Sequence, residues 1–430
     1  MPIQKTDRNT PWILNTANAT YTLAEQATIT VDQGYGIYEA TTNNQIIVLG
    51  DIVAKAGTTA AIRFMGSSST LEVGAQSVIN ARQIDYGVFA EGAGQEIVNR
   101  GRITAETAGI NGEIWGKVEN FGTINAFTGI YYHEAGSQIV NHGKISGTFG
   151  VLTQADGTSV VNRRGGEISG EFAGIRLDGG GDATITNRGL LHGDEYAIYG
   201  GSGRMTVINE GRIDGDVSLA DGEDFFDTRR GDVTGVIYGG YGDDTYYISK
   251  SSVKIDDRGG SFGDAVFSSA SYTLVGGLDD LYLIGRRNVD ATGNVADNTL
   301  TGNTGDNHLR GMSGNDKLVG AGGIDLLSGG AGSDLFFMNS GDDVDTITDF
   351  EDGIDKLAPG AVQSQQDFDD LTIRAVRGDL VIDFGGGATT LAAFAEDRLA
   401  HVDSLPVGGQ HVTMDIARGL SVSIADADRL

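Results

Sequence analysis

Between Gly293 and Phe337 the chain repeats one phrase five times without a slip: GNVADNTLT, GNTGDNHLR, GMSGNDKLV, GAGGIDLLS and GGAGSDLFF. The sixth position is an oxygen donor in every row: Asn298, Asn307, Asp316, Asp325 and Asp334. The eighth is large and apolar in every row: Leu300, Leu309, Leu318, Leu327 and Phe336. A glycine-rich turn of this kind aims backbone carbonyls inward through φ values that only glycine adopts cheaply. The eighth residue then sits mid-strand and points into a core, because side chains alternate across a strand. If two rows close one flattened turn, rows i and i+2 share an edge. Asp316 and Asp334 would line one side above Asn298, with Asn307 and Asp325 on the other. Backbone oxygens at Gly311, Ser313, Gly320, Gly322, Gly329 and Ala331 complete the expected cages. A donor set of oxygens without sulfur or imidazole selects a hard cation, and its pliable geometry suits Ca²⁺ better than Mg²⁺ or Zn²⁺. Without the ion the carboxylates repel and the glycines lose their full chain entropy on ordering, so this segment should fold only with metal.

Two departures refine the expectation. Asn298 and Asn307 stand where aspartate would carry charge, so their sites should be weaker. After Asp334 the phase slips by two, and Asp345, eleven residues on, is expected to close the last site. Upstream, DGEDFFD and GGYGDDTYY place Asp224 and Asp244 twenty residues apart, which makes both further ligand candidates.

Those turns need elements to hold them. From about residue 36 to 217 the chain cycles every 20 to 25 residues through an I/V-x-N-x-G-x-I/L core followed by a small polar turn. Short alternating apolar runs between glycines are strand signals, and no window offers a good amphipathic helix. One coil of a parallel β-helix, about three short strands, fits this period. Asn99, Asn120, Asn141, Asn162, Asn187 and Asn209 recur at one point of it and should stack as a hydrogen-bonded turn ladder, a structural role rather than a binding one. The expected fold is all-β: a right-handed parallel β-helix followed by a parallel β-roll. Residues 1–35 would form an N-terminal cap containing Trp12, Ile13 and Leu14, and residues 36–250 the β-helix. Residues 251–292 would connect it to the roll at 293–357, and 358–430 would form a C-terminal β region.

The stretch from about Gly239 to Leu357 resembles the calcium-binding region of RTX (hemolysin-type) proteins, through the five rows, SSASYTL, GLDDLYLIG and DTITDFEDGIDKL. The I-x-N-x-G-x-I coils resemble those of secreted adhesins. The first resemblance implies Ca²⁺ as cofactor and export from a Gram-negative cell by the type I secretion machinery. The signal would be uncleaved and C-terminal, with folding in an extracellular or cell-surface location where calcium is plentiful. The tail HVTMDIARGLSVSIADADRL is compatible with such a signal.

Composition agrees. The 430 residues carry a formal net charge of −29, which repels nucleic acid and attracts cations. With 67 glycines, 4 prolines and no cysteine, the chain reads as ordered, turn-dense β structure without disulfides or thiolate metal sites. No apolar run approaches the roughly 20 residues of a membrane helix, and the N-terminus lacks the apolar stretch of a cleaved signal.

The function expected is structural, adhesive or matrix-forming, with a polysaccharide or cell-surface ligand as partner. A polysaccharide-modifying β-helix enzyme and a self-associating surface-layer or filament subunit are the alternatives. For the enzyme, the best cluster is Tyr131, Tyr132, His133 and Glu134, with Glu113 and Trp115 above and Gln154 and Asp156 below. Against it, the HExxH and GxSxG motifs are missing, and His133 is expected to lack matching charged neighbours in adjacent coils.

Overall fold

The computed structural model describes residues 2–154, 156–257, 263–338, 344–351, 354–359, 372–376, 379–383 and 390–394. Among these every regular element is a strand, and the pairings are parallel apart from a C-terminal meander. The chain divides into two compact units, residues 1–242 with 253–255, and residues 243–252 with 256–430. The division falls at Gly242, ahead of residue 250 where the repeat pattern placed it.

The first unit is a parallel β-solenoid with three strands per coil. Three apolar columns run through it, because the same residue of each coil lands on its copy in the next. Ile46, Leu71, Ile97, Val118, Ile139 and Val160 form one column. Ile52, Ile79, Ile103, Ile124, Ile145 and Ile168 form the second. Ile37, Ile62, Val88, Ile110, Ile130 and Val151 form the third. All are at most 1 % exposed. β-branched side chains dominate because they pack well on a pleated surface, and each buried one contributes about 1.5–3 kcal/mol. The segment expected to cap the stack is built of strands in the same register. Ile3–Gln4 pairs with Thr22 and Leu23, and Trp12–Leu14 pairs with Ile37–Glu39. Trp12 and Leu14 are buried, while Ile13 points outward.

The asparagine row lies within this unit. Each Nδ2 donates to the next Oδ1, from Asn99 through Asn120, Asn141, Asn162 and Asn187 to Asn209, at 2.8–2.9 Å. The row ends on a residue outside the repeat pattern: Asn209 Nδ2 donates to Thr228 Oγ1 at 3.0 Å.

The second unit has two strands per turn. One face stacks Thr245–Ile248, Ala265–Ser268, Asp280–Leu283, Thr299–Thr301, Lys317–Val319 and Leu335–Met338. The other stacks Tyr272–Thr273, Ala291–Thr292, His308–Ser313, Leu326–Ala331 and Val344–Ile347. Residues 251–292, expected as a connection, thus supply strands to the same faces as the nine-residue rows. Leu300, Leu309, Leu318, Leu327 and Phe336 are fully buried between them. Thr372–Val376, Asp379–Asp383 and Thr390–Phe394 form the antiparallel meander. Residues 411–430, the expected secretion signal, lie outside the described residues.

Candidate metal centre

Register brings the sixth-position residues into two rows. Thr299 faces Lys317, which faces Leu335, so Asn298, Asp316 and Asp334 share one edge. His308 faces Leu326, which places Asn307 and Asp325 on the other. Each carboxylate is tied to the coil before it. Asn298 N donates to Asp316 Oδ1 at 2.7 Å, and Asp316 N to Asp334 Oδ1 at 2.8 Å. On the second edge Asn307 N donates to Asp325 Oδ1 at 2.7 Å, and Asp325 N to Asp345 Oδ1 at 3.0 Å. Asp345 therefore continues its row despite the phase slip.

The first row has a member that periodicity missed. Asp334 N donates to Asp355 Oδ1 at 2.9 Å. Asp349 was missed as well: its carboxylate accepts from Gly329 N at 3.0 Å and Gly330 N at 2.9 Å. Both lie beyond the last nine-residue row. The DFEDGID phrase containing them was legible as a closing motif but not as ligand spacing.

The second oxygens make this a candidate metal centre. Asp316 Oδ2 and Asp334 Oδ2 are buried without a hydrogen-bond partner. Both residues are 1 % exposed. They face the first glycines of their own rows: a Cβ on Gly311 would collide with Asp316 Oδ2 and with the Gly329 carbonyl, and one on Gly329 with Asp334 Oδ2. A Cβ on Gly320 would lie 2.7 Å from both Asp325 Oδ2 and Asp345 Oδ2. The rows thus hold oxygen-lined space beside glycine, as the residues needed to cage Ca²⁺ require. Glycine is also demanded at the fourth position, where Gly314, Gly323 and Gly332 have φ of +113°, +112° and +149°. At the second position Met312 and Ala321 take positive φ, at +85° and +69°. Of the expected backbone donors, the Ala331 carbonyl also accepts from Gly314 N at 3.0 Å. Ser313 pairs with Ala331 in register, and Gly322 N donates to the Asn303 carbonyl at 3.0 Å.

Burial pushes the Asp316 carboxyl up to about 7, opposed by the Asn298 N–H and reinforced by Asp334 and Asp297. Asp334 is raised by burial, and Asp355, Asp349 and Glu351 add to the rise against the Asp316 N–H.

Asn298 and Asn307, expected as the weaker ligands, make hydrogen bonds of their own. Asn298 Oδ1 accepts from Asn294 N at 2.7 Å, and its Nδ2 donates to the Leu278 carbonyl at 3.3 Å. Asn307 Oδ1 accepts from Asn303 N at 2.8 Å, and its Nδ2 donates to the Val289 carbonyl at 2.7 Å. A neutral amide both donates and accepts, so these two turns are closed by the protein's own groups. Asp224 belongs to the first unit, where its Oδ1 accepts from Met205 N at 2.6 Å. Asp244 belongs to the second, where its N–H donates to Asp264 Oδ1 at 2.8 Å.

The cluster weighed for sugar chemistry divides. Tyr132 is a core residue, 1 % exposed, with its phenol pushed up by burial. His133, expected to lack matching charged neighbours, lies 3.7 Å from Glu113 Oε1 and 3.2 Å from Asn111 Oδ1, with its ring against Tyr131. Stacking in register supplies that neighbour from the coil before. A separate groove combines small residues, among them Ser146, Thr148 and Ser169, with Phe127 and with the ionisable groups Glu171, His192 and Asp194.

Comparison with known proteins bears on two segments. The RTX calcium-binding nonapeptide repeat matches residues 292–327 and 311–345. Residues 292–345 are RTX calcium-binding repeats, carried on a parallel β-solenoid. Cell division protein FtsA matches residues 380–430. FtsA of Agrobacterium fabrum is 58 % identical over 53 residues and that of Rhizobium meliloti 57 % over 53 residues. FtsA of Bacillus subtilis is 42 % identical over 53 residues. The chain spans 12 % of the length of these curated relatives, and the likeness covers 12 % of this chain.

Proposed function

We propose that this protein is a secreted, calcium-loaded β-solenoid whose first unit serves a structural, adhesive or matrix role outside the cell. The observation that carries the calcium part is the pair of buried, unpartnered oxygens Asp316 Oδ2 and Asp334 Oδ2, aligned on one edge in nonapeptide phase. Asp316, Asp325, Asp334 and Asp345 would hold the ions with backbone oxygens at Gly311, Ser313, Gly320, Gly322, Gly329 and Ala331. Bound Ca²⁺ supplies the positive charge that cancels carboxylate repulsion; the residues themselves supply alignment, through the N–H to Oδ1 bonds between coils. Asn298 and Asn307 take the lesser part.

Export by a type I system is inferred from the repeats, which are typical of proteins leaving by that route. It is not inferred from the tail, whose likeness is to FtsA. The rod or adhesive role rests on the apolar columns of the first unit, whereas Glu171, His192 and Asp194 in its groove favour the enzyme alternative. The polysaccharide-modifying alternative has the His133–Glu113 pair beside Tyr131 in its favour. The buried Tyr132 leaves it one side chain short of the cluster first considered.

The test is calcium affinity of the full chain by titration calorimetry. Asp316→Ala removes a charged ligand and should weaken binding at least ten-fold, while Asn307→Ala should change it less than three-fold. Equal losses would contradict this assignment of roles.

A further inference from the structure

We infer that the second unit holds an additional calcium-sized cation outside the matched repeats, between Asp244, Asp257 and Asp264. The three are fully buried, at 0 %, 0 % and 1 % exposure. One carboxylate oxygen from each lies within 4.8 Å of the other two. Two oxygens on opposite sides of a Ca²⁺ ion, at roughly 2.3–2.6 Å each, stand up to about 5 Å apart, so oxygens this close can share one such ion. Burying three carboxylates together is costly unless a cation or protons balance them.

A second observation separates this place from a mere acidic cluster. Asp264 Oδ1 is fixed by the Asp244 N–H at 2.8 Å, which leaves Oδ2 buried with no hydrogen-bond partner. The cluster is also organised from outside. Tyr246 Oη, itself buried, donates to Asp257 Oδ2 at 2.7 Å and lies 3.3 Å from Asp244 Oδ2. Asp279 Oδ2 accepts from Gly263 N at 2.8 Å and Asp264 N at 3.1 Å, which holds the loop carrying Asp264. The donor set of carboxylates beside a phenol contains only oxygen, so the ligand class is a hard divalent ion. Asp244 is the sixth residue of the phrase GGYGDDTYY, while Asp257 has no counterpart in the nine-residue rows.

Tyr246 also provides the readout. Residues 293–337 contain no tyrosine or tryptophan, and Tyr246 touches Asp244 and Asp257, so the Tb³⁺ luminescence lost in Tyr246→Phe is the part that reports this site, with Tyr282 beside Thr301 as the background from the rows. The experiment uses the full chain with Tb³⁺, and with Ca²⁺ in calorimetry, for the wild type and three variants. Asp257→Asn/Asp264→Asn should bind one Ca²⁺ fewer and lose at least ten-fold of that part of the luminescence. Asp316→Asn/Asp334→Asn should lose calcium but keep the luminescence. Tyr246→Phe, which keeps every carboxylate, should retain the calcium count and lose the luminescence. Far-UV circular dichroism in saturating Ca²⁺ monitors folding of each. Unchanged stoichiometry and luminescence in Asp257→Asn/Asp264→Asn would overturn the inference and leave shared protons as the balance of charge. Loss of calcium from the nonapeptide variant alone would have the same meaning while sparing the proposed function.

Discussion

At the residue scale, two kinds of side chain do related work by different means. Aspartate leaves one oxygen over after satisfying the N–H of its neighbour, as Asp316 and Asp334 do. Asparagine closes on itself, giving a hydrogen and taking one, and needs nothing from solution. The chain uses asparagine where the stack must be self-sufficient and aspartate where it awaits an ion. Asn141→Ala would remove the acceptor of Asn120 Nδ2 and the donor to Asn162 Oδ1, both buried. The expected cost is about 1–3 kcal/mol, seen as a lower melting point of the first unit even in chelator. Asn125→Ala, which breaks an exposed bond to Ser146 Oγ, should stay within about 0.5 kcal/mol of the wild type. Equal effects would remove the special standing of the row.

At the element scale, the turns of the second unit respond to pH in opposite senses with and without metal. Asp316 is held at about 7 and, mainly through burial, Asp264 at about 8. Both lie above the range of an unfolded aspartate, so the folded, metal-free unit binds more protons than the unfolded chain. Stability in chelator should therefore rise on acidification from roughly pH 8 to pH 5, and be lost as pH climbs back through those values. In Ca²⁺ the slope reverses, because protons compete with the ion for the same oxygens. Melting curves across pH in the two buffers check this; slopes of the same sign would count against metal at these carboxylates. The same elements show what was legible in the sequence. The nine-residue period placed Asp316, Asp325 and Asp334 on their edges, because repetition converts spacing directly into stacking. Asp355 was not legible, since it joins its row from a turn of different length, and Asp257 was not, since it has no counterpart in the rows. The strands at residues 1–35 were not legible for a related reason: they are stacked by register but irregular in period.

At the scale of the whole molecule, two units meet the problem of stability separately. The first buries apolar columns, and its row of amides needs no ion. The second buries single apolar residues in short strands and surrounds them with acids. Chelation at a pH above the values of Asp316, about 7, and Asp264, about 8, should accordingly abolish hydrogen-exchange protection in strands such as Thr299–Thr301, Lys317–Val319 and Leu326–Ala331, while strands such as Gln95–Asn99 and Gly116–Asn120 keep theirs. Loss in both, or in neither, would break the link between ion and fold. The amide row of the first unit also has a sense of direction. From Asn99 to Asn209 each Nδ2 donates to the side-chain oxygen of the later coil, so six small dipoles add head to tail, each polarising the next. Reversing one amide would set oxygen against oxygen on one side and hydrogen against hydrogen on the other. The row must flip as a body or not at all, which makes it a vector lodged in the wall of the solenoid, with Thr228 as its terminus.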